Sequence, residues 1–246
     1  KCDISGGDLP EALVFRTTPD KARSLAVEEP NWAAVALIYP AMALGLPLKL
    51  EANISPLLLY NLRNDIQSLL RSYQPALKSV EIEAGWADPK RPRAANRQNI
   101  TGFSAGIDSF CTSMIFDGPQ TPESVRLGGL AVFDVGAFGK TGRDTSLRKR
   151  AHKTAEEFAQ LRGYSTWFID SNLSELYEPI TGPDETGFPR TVTLRNAVAA
   201  LACEGGVCGY LHSSSTAWEY ISCGAGDYIG KLDPILLPLL STEGLR

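Results

Sequence analysis

Residues 99–109, Asn-Ile-Thr-Gly-Phe-Ser-Ala-Gly-Ile-Asp-Ser, place hydroxyls, a carboxylate and small residues within one short stretch. Ser104 and Ser109 can donate hydrogen bonds, and Asp108 is a hard oxygen ligand suited to Mg²⁺. Ala105 and Gly106 let a ligand approach the backbone, and Ile107 belongs to the same expected binding loop. A helix opening here would turn the N–H groups of residues 105–109, which lack intrahelical partners, toward an anion such as the β and γ phosphates of ATP. An ordinary turn capped by Ser104 or Asp108 is the alternative reading. A Walker loop is excluded because the Gly-Lys-Ser/Thr ending is missing. Further along, Arg195 would neutralise a phosphate or clamp a carboxylate bidentately, or else form a salt bridge on the helix surface. Lys140, Arg143 and Lys231 are further candidates for phosphate charge, with a solvated side chain as the default reading of each.

The elements around this stretch alternate as a parallel sheet requires. A strand over 100–103 leads into a helix over 108–116. The almost uninterrupted apolar run 127–134 predicts a strand covered on both faces. Ala151, Ala155, Phe158 and Leu161 give helical spacing over 145–161, with Arg148, Lys149, Arg150 and Lys153 mostly on the wet side. A strand over 164–169, an alanine-rich helix over 191–204 and a strand over 207–212 complete the series. Ligands in such sheets lie beyond the carboxyl ends of the strands, where Ser104, Asp134, Asp170 and Ser213 fall. The predicted fold class is therefore α/β, a parallel sheet with helices on both faces, preceded by a small α+β module.

Ser104-Ala105-Gly106-Ile107-Asp108-Ser109 resembles the Ser-Gly-Gly-X-Asp-Ser loop of the PP-loop ATP pyrophosphatases, with Ala105 in place of the first glycine. If that position needs a positive φ, alanine is strained there. Within the superfamily the chain is most similar to 7-cyano-7-deazaguanine synthase. Phe133-Asp134-Val135-Gly136 resembles that family's Phe-Asp-Tyr-Gly, Leu161-Arg162-Gly163 ends the next helix as its counterpart does, and Arg195-Asn196 resembles its Pro-Gly-Arg-Asn. The similarity spans roughly residues 99–213. The family's closing zinc-binding cysteines and its substrate-side pattern over 213–230 are absent. The resemblance implies a HUP-type fold and an ATP-dependent ligase: adenine near Phe133 and Asp134, phosphates on residues 105–109, Mg²⁺ at Asp108, and a carboxylate or amide oxygen attacking the α-phosphorus. Asp108, Ser109 and Arg195 are then the expected catalytic residues. The acceptor is a small-molecule carboxylate or a protein or peptide terminus; proteins of this type also occur in bacterial anti-phage systems. tRNA thiolation and ATP binding without turnover remain as alternatives.

Residues 1–88 read as the α+β module and 99–246 as the pyrophosphatase domain. Residues 89–98, with two prolines and four basic residues, form the linker. In the module, a strand over 11–16, an apolar helix over 31–44 capped by Asn31 and closed by Gly45, and a strand over 46–52 precede a helix capped by Ser55 with Pro56 at its first position. A strand with one exposed face follows over 77–84. The module suits binding of a partner protein or a second copy, presentation of substrate, or a lid completing the sheet edge. Lys90, Arg91, Arg93 and Arg97 allow a nucleic-acid contact or a solvated linker, while the net charge of −4 argues against a broad phosphate-tracking surface. No apolar run reaches membrane-spanning length, and with no signal peptide evident the expected location is cytoplasmic. Because the chain begins at Lys1, a native start is expected upstream; zinc ligands could equally lie beyond Arg246. Five cysteines without a CxxC pair, beside two histidines, do not support zinc in this chain, and Cys203 and Cys208 read as buried thiols.

Overall fold

Short β-branched and apolar runs separated by amphipathic stretches give nine strands and nine α-helices in a computed structural model that describes residues 2–3, 9–138, 145–214 and 216–246. In chain order these begin with β1 (Cys2–Asp3), β2 (Ala12–Leu13), β3 (Phe15–Arg16), α1 (Asn31–Leu44), β4 (Leu48–Ile54), α2 (Pro56–Asn61), α3 (Gln67–Tyr73), β5 (Ile82–Trp86) and β6 (Gln98–Gly102). They continue with α4 (Ile107–Phe116), β7 (Leu127–Asp134), α5 (Thr145–Arg162), β8 (Ser165–Ser171), α6 (Leu173–Thr181), α7 (Asp184–Gly187), α8 (Val192–Ala202), β9 (Val207–Leu211) and α9 (Asp233–Leu239). A π-helical turn, Leu62–Ile66, joins α2 to α3.

The main sheet has the order β3-β8-β7-β6-β9. β6 runs parallel to β7 and β9, and β7 parallel to β8, with Gly102 opposite Ala131 and Asp134 opposite Asp170. β3 pairs antiparallel with β8 and covers its edge. Because the chain steps from β6 through β7 to β8 and then returns to the other side of β6, the strand order reverses at β6. A crevice is expected beyond its carboxyl end.

The residues that face each way explain the layers. Leu130 and Val132 of β7 pack with Phe103, Ala151, Ala155 and Ala159, which puts α5 on one face. Ile100, Ala131, Phe133, Trp167 and Ile169 belong to a second core shared with α1, α6 and α8. α1 is buried nearly all round because it lies against α8, α6 and β4 together, an arrangement its continuous apolar sequence demands. β4 and β5 form a separate parallel pair.

Several boundaries depart from the sequence expectation for physical reasons. Asn31 does not cap α1; its carboxamide is buried, donating to Glu204 Oε2 at 2.8 Å and accepting from the Ser55 N–H at 2.8 Å. Gly45 does end α1 in the left-handed conformation, and Ser55 caps α2 by accepting from the Leu58 N–H at 3.0 Å. The strand expected over 77–84 begins only at Ile82. α9, near the end of the chain, escaped notice because Pro234 and Pro238 lie within its seven residues.

The basic run between β5 and β6 is largely turned inward. Arg93 bridges Glu29 at 2.9 Å and Glu204 at 3.0 Å, Arg91 pairs with Glu28 and Glu29, and Arg97 donates to the carbonyl of Gly244 at 2.5 Å. Lys90 is exposed. Among the described residues no helix is long and apolar enough to cross a membrane.

Candidate functional site

Beyond the carboxyl ends of β6, β7 and β9 lies a cleft of about 720 Å³. Its floor comes from Gly102, Phe103 and Ala131 to Phe133, one rim from Ser104, Ala105, Asp108 and Ser109, and the opposite side from Phe188, Asn196, Tyr210, His212 and Ser213. The reversal of strand order at β6 places it there.

The 104–109 loop is held by its own serines. The Ser104 N–H donates to Ser109 Oγ at 3.1 Å, and the two hydroxyl oxygens are 3.1 Å apart. Ser109 is buried and thereby serves the loop's shape, while Ser104 is exposed. Ala105 adopts φ +59°, the only positive φ outside glycine among the described residues. That conformation costs an L-residue roughly 1–2 kcal/mol. Gly106 is the N-cap of α4 and no side chain caps it. The first internal bond of the helix is from the Phe110 N–H to the Gly106 carbonyl, so the N–H groups of residues 107–109 precede it. Ile107 is 78% exposed, and neither it nor Gly106 lines the cleft. Asp108 is exposed on the rim and has no hydrogen bond or ion pair among the described residues.

The wall after β7 is built differently. Phe133 faces the cleft, but Asp134 does not line it; Asp134 pairs with Arg148 at 3.1 Å. Burial raises its pKa above the ordinary carboxylate value, Arg148 opposes the shift, and Asp170 and Asp184 add to it. The next turn passes through Gly136 at φ +118°. Behind it lies Arg195, fully buried, whose Nη1 donates to Asp184 Oδ1 at 2.7 Å and to the Val135 carbonyl at 3.2 Å. Its Nε donates to Thr191 Oγ1 at 2.9 Å, and the guanidinium stacks over Tyr177. Arg195 thus stands behind the cleft wall, in a buried pair and not in the surface salt bridge considered from sequence. Its neighbour Asn196 does line the cleft.

Sequence reasoning passed over three cleft residues. Arg150 reaches the rim from α5 although its helical position reads as solvent-facing; it is exposed and has no partner among the described residues. Tyr210 and His212 line the opposite side, their alternation along β9 being the available signal. Lys231, in the turn Ile229–Leu232, does not line the cleft, and Lys140 and Arg143 lie outside the described residues. Cys203 is buried, which pushes its thiol up to about 12. No group of three or more His, Cys, Asp or Glu that could hold a metal occurs among the described residues. Asp108 stands on the rim as a lone carboxylate.

Fold and site together define an α/β protein whose mostly parallel five-stranded sheet, flanked by helices, opens a cleft at its carboxyl edge. No family model matches the chain, and no curated protein or solved structure matches it either.

Proposed function

We propose that this chain is an ATP-dependent, adenylate-forming ligase of the PP-loop type, similar to 7-cyano-7-deazaguanine synthase, working in the cytoplasm on a carboxylate or amide substrate. The observation that carries the reading is the 104–109 loop: Ala105 held at φ +59° and an Asp108 without a partner among the described residues, both lining a cleft of nucleotide size, next to the uncapped start of α4. A left-handed residue kept at a strand-to-helix turn despite its cost points to a backbone shaped for a ligand. Ser104 and the N–H groups of residues 105–109 would hold the β and γ phosphates, Asp108 would hold Mg²⁺, and Arg150 adds a cation on the same rim. Phe133 offers an apolar face to the adenine. Mg²⁺ would supply charge neutralisation on the phosphates; the chain aligns the α-phosphorus with the incoming oxygen. The substrate oxygen bonds to the α-phosphorus, the bond to the β-phosphate oxygen breaks, and pyrophosphate leaves with that electron pair. Arg195 supports this geometry through the Val135 turn.

Incubation of the chain with Mg²⁺, α-labelled ATP and a cell extract should yield AMP and pyrophosphate, and Asp108→Ala should slow this by about 100-fold, the scale of losing one aligned electrostatic contact. Release of ADP and phosphate, or AMP formation indifferent to Asp108, would refute the reading. ATP bound without AMP would make the chain a non-catalytic nucleotide-binding module.

A further inference from the structure

On the other side of the cleft from the 104–109 loop, two side chains at the end of β9 and one at the start of α9 form a continuous hydrogen-bonded chain that ends in the cleft. Asp233, buried at the start of α9, has Oδ2 2.9 Å from His212 Nε2, and its Oδ1 accepts from Thr193 Oγ1 at 2.5 Å. His212 Nδ1 is 3.0 Å from the Tyr210 hydroxyl. Both Tyr210 and His212 line the cleft. Gly102, at the end of β6, approaches so closely that a Cβ there would stand 3.3 Å from the Tyr210 hydroxyl oxygen. Next to His212, the Ser213 hydroxyl donates to Thr112 Oγ1 of α4 at 2.8 Å, tying this side of the cleft to the helix that follows the loop.

The polarity of the chain follows from its ends. A buried carboxylate accepts, so His212 Nε2 carries the proton facing Asp233, and Nδ1 is left to accept from the Tyr210 hydroxyl. A histidine oriented by a carboxylate can take up a proton, because the imidazolium that forms faces a fixed negative charge. Across the cleft the charged groups are Asp108 of α4 and Arg150 of α5.

We infer that Tyr210, His212 and Asp233 form a proton relay that serves the second half of the ligase reaction, in which an amine displaces AMP from the acyl adenylate. This rests on the ligase reading of the same cleft. As the amine nitrogen bonds to the acyl carbon and the carbon–oxygen bond to AMP breaks, the electron pair leaves on the phosphate oxygen of AMP. The nitrogen gives its proton to the Tyr210 oxygen while the Tyr210 proton passes to His212 Nδ1. Tyr210 is the catalytic residue, His212 stores the proton, and Asp233 positions His212. The first half-reaction needs no such group, since a carboxylate attacking the α-phosphorus has no proton to lose.

The two halves therefore separate in one experiment. A heat-cleared cell extract supplies the carboxylate, and ammonium or hydroxylamine is the added nucleophile; the pyrophosphate burst of the first turnover and steady-state AMP release are both followed. In Tyr210→Phe and His212→Gly the burst should persist while AMP release with ammonium falls about 100-fold, the scale of lost general-base catalysis. Hydroxylamine, already neutral at pH 7 and strongly nucleophilic, should lose much less. Added imidazole should restore His212→Gly. Tyr210→Phe keeps the ring contact with Phe133 and carries the test if His212→Gly does not fold. Variants equal to the wild type in both phases would overturn the relay and leave the ligase intact. A wild-type chain that releases no pyrophosphate would overturn the ligase reading and the relay with it.

Discussion

Two turns leave the same edge of the sheet, one after β6 and one after β7, and they are opposites in how their polar groups are used. Both contain a residue at positive φ, Ala105 at +59° and Gly136 at +118°. Around Gly136 most polar groups are paired from inside: Arg195 Nη1 reaches the Val135 carbonyl and Asp184, and Asp184 also accepts from the Ser174 hydroxyl at 2.6 Å, while Arg195 Nη2 is buried without a partner among the described residues. A Cβ on Gly136 would stand 2.3 Å from Arg195 Nη1, so the turn and the ion pair occupy each other's space. Around Ala105 the serine hydroxyls close the loop, while Asp108 lines the cleft and the first N–H groups of α4 have no side-chain cap. The buried pair acts as a brace behind the cleft wall, whereas the Asp108 carboxylate on the rim has no partner among the described residues.

Removing the brace should have the largest effect. Arg195→Ala strands the Asp184 carboxylate, which is only 3% exposed, and breaking such a buried pair costs about 3–5 kcal/mol. Urea unfolding should show this loss; a change of less than about 1 kcal/mol, the range of an exposed pair, would put the two turns in the same class. At the loop the sign reverses. Ala105→Gly relieves the left-handed strain but loosens the unfolded chain, so the net gain should be about 0.5–1 kcal/mol. A destabilised Ala105→Gly protein would show that the methyl group's packing beside Phe103 and Phe110 outweighs its backbone cost. Asp108→Ala should alter unfolding by no more than about 0.5 kcal/mol, because the carboxylate supports no internal structure. A larger loss would mean that the rim is a brace as well.

The two turns also differ in how far the sequence discloses them. The loop is legible because its groups are local: six consecutive residues carry the hydroxyls, the carboxylate and the helix start. β7 is legible because a strand covered on both faces must be apolar without alternation, and residues 127–134 are. The brace is not, since Arg195 meets Asp184 and Val135 through tertiary folding, and α7 is only four residues long. Nothing in the spacing of Tyr210 and His212 announces Asp233, which arrives on a helix interrupted by proline. Arg91, Arg93 and Arg97 illustrate the same limit in reverse: a basic run looks available to a ligand until Glu29, Glu204 and the Gly244 carbonyl are seen to engage it.

The smallest predicted effect lies on α5, beside the braced wall, and sharpens the comparison by its pH dependence. His152 stacks on Phe168 with ring centroids 4.2 Å apart, one helical turn beyond the Arg148 that pairs with Asp134. Burial lowers its pKa below 6.5, and Arg148 acts in the same direction. The unfolded chain therefore takes up the His152 proton at higher pH than the folded chain does. Stability is fully retained above about pH 6.5, falls as the unfolded state protonates below it, and levels off once the folded histidine is protonated too. In His152→Asn this component is missing, so the difference in urea midpoint between wild type and variant should shrink on acidification from pH 7 toward pH 5. Because the ring is half-buried, the change should be smaller than that of Arg195→Ala. A midpoint difference that stays constant with pH would show that the histidine is solvated as freely as a residue on the open rim, and would remove it from the braced side of the cleft.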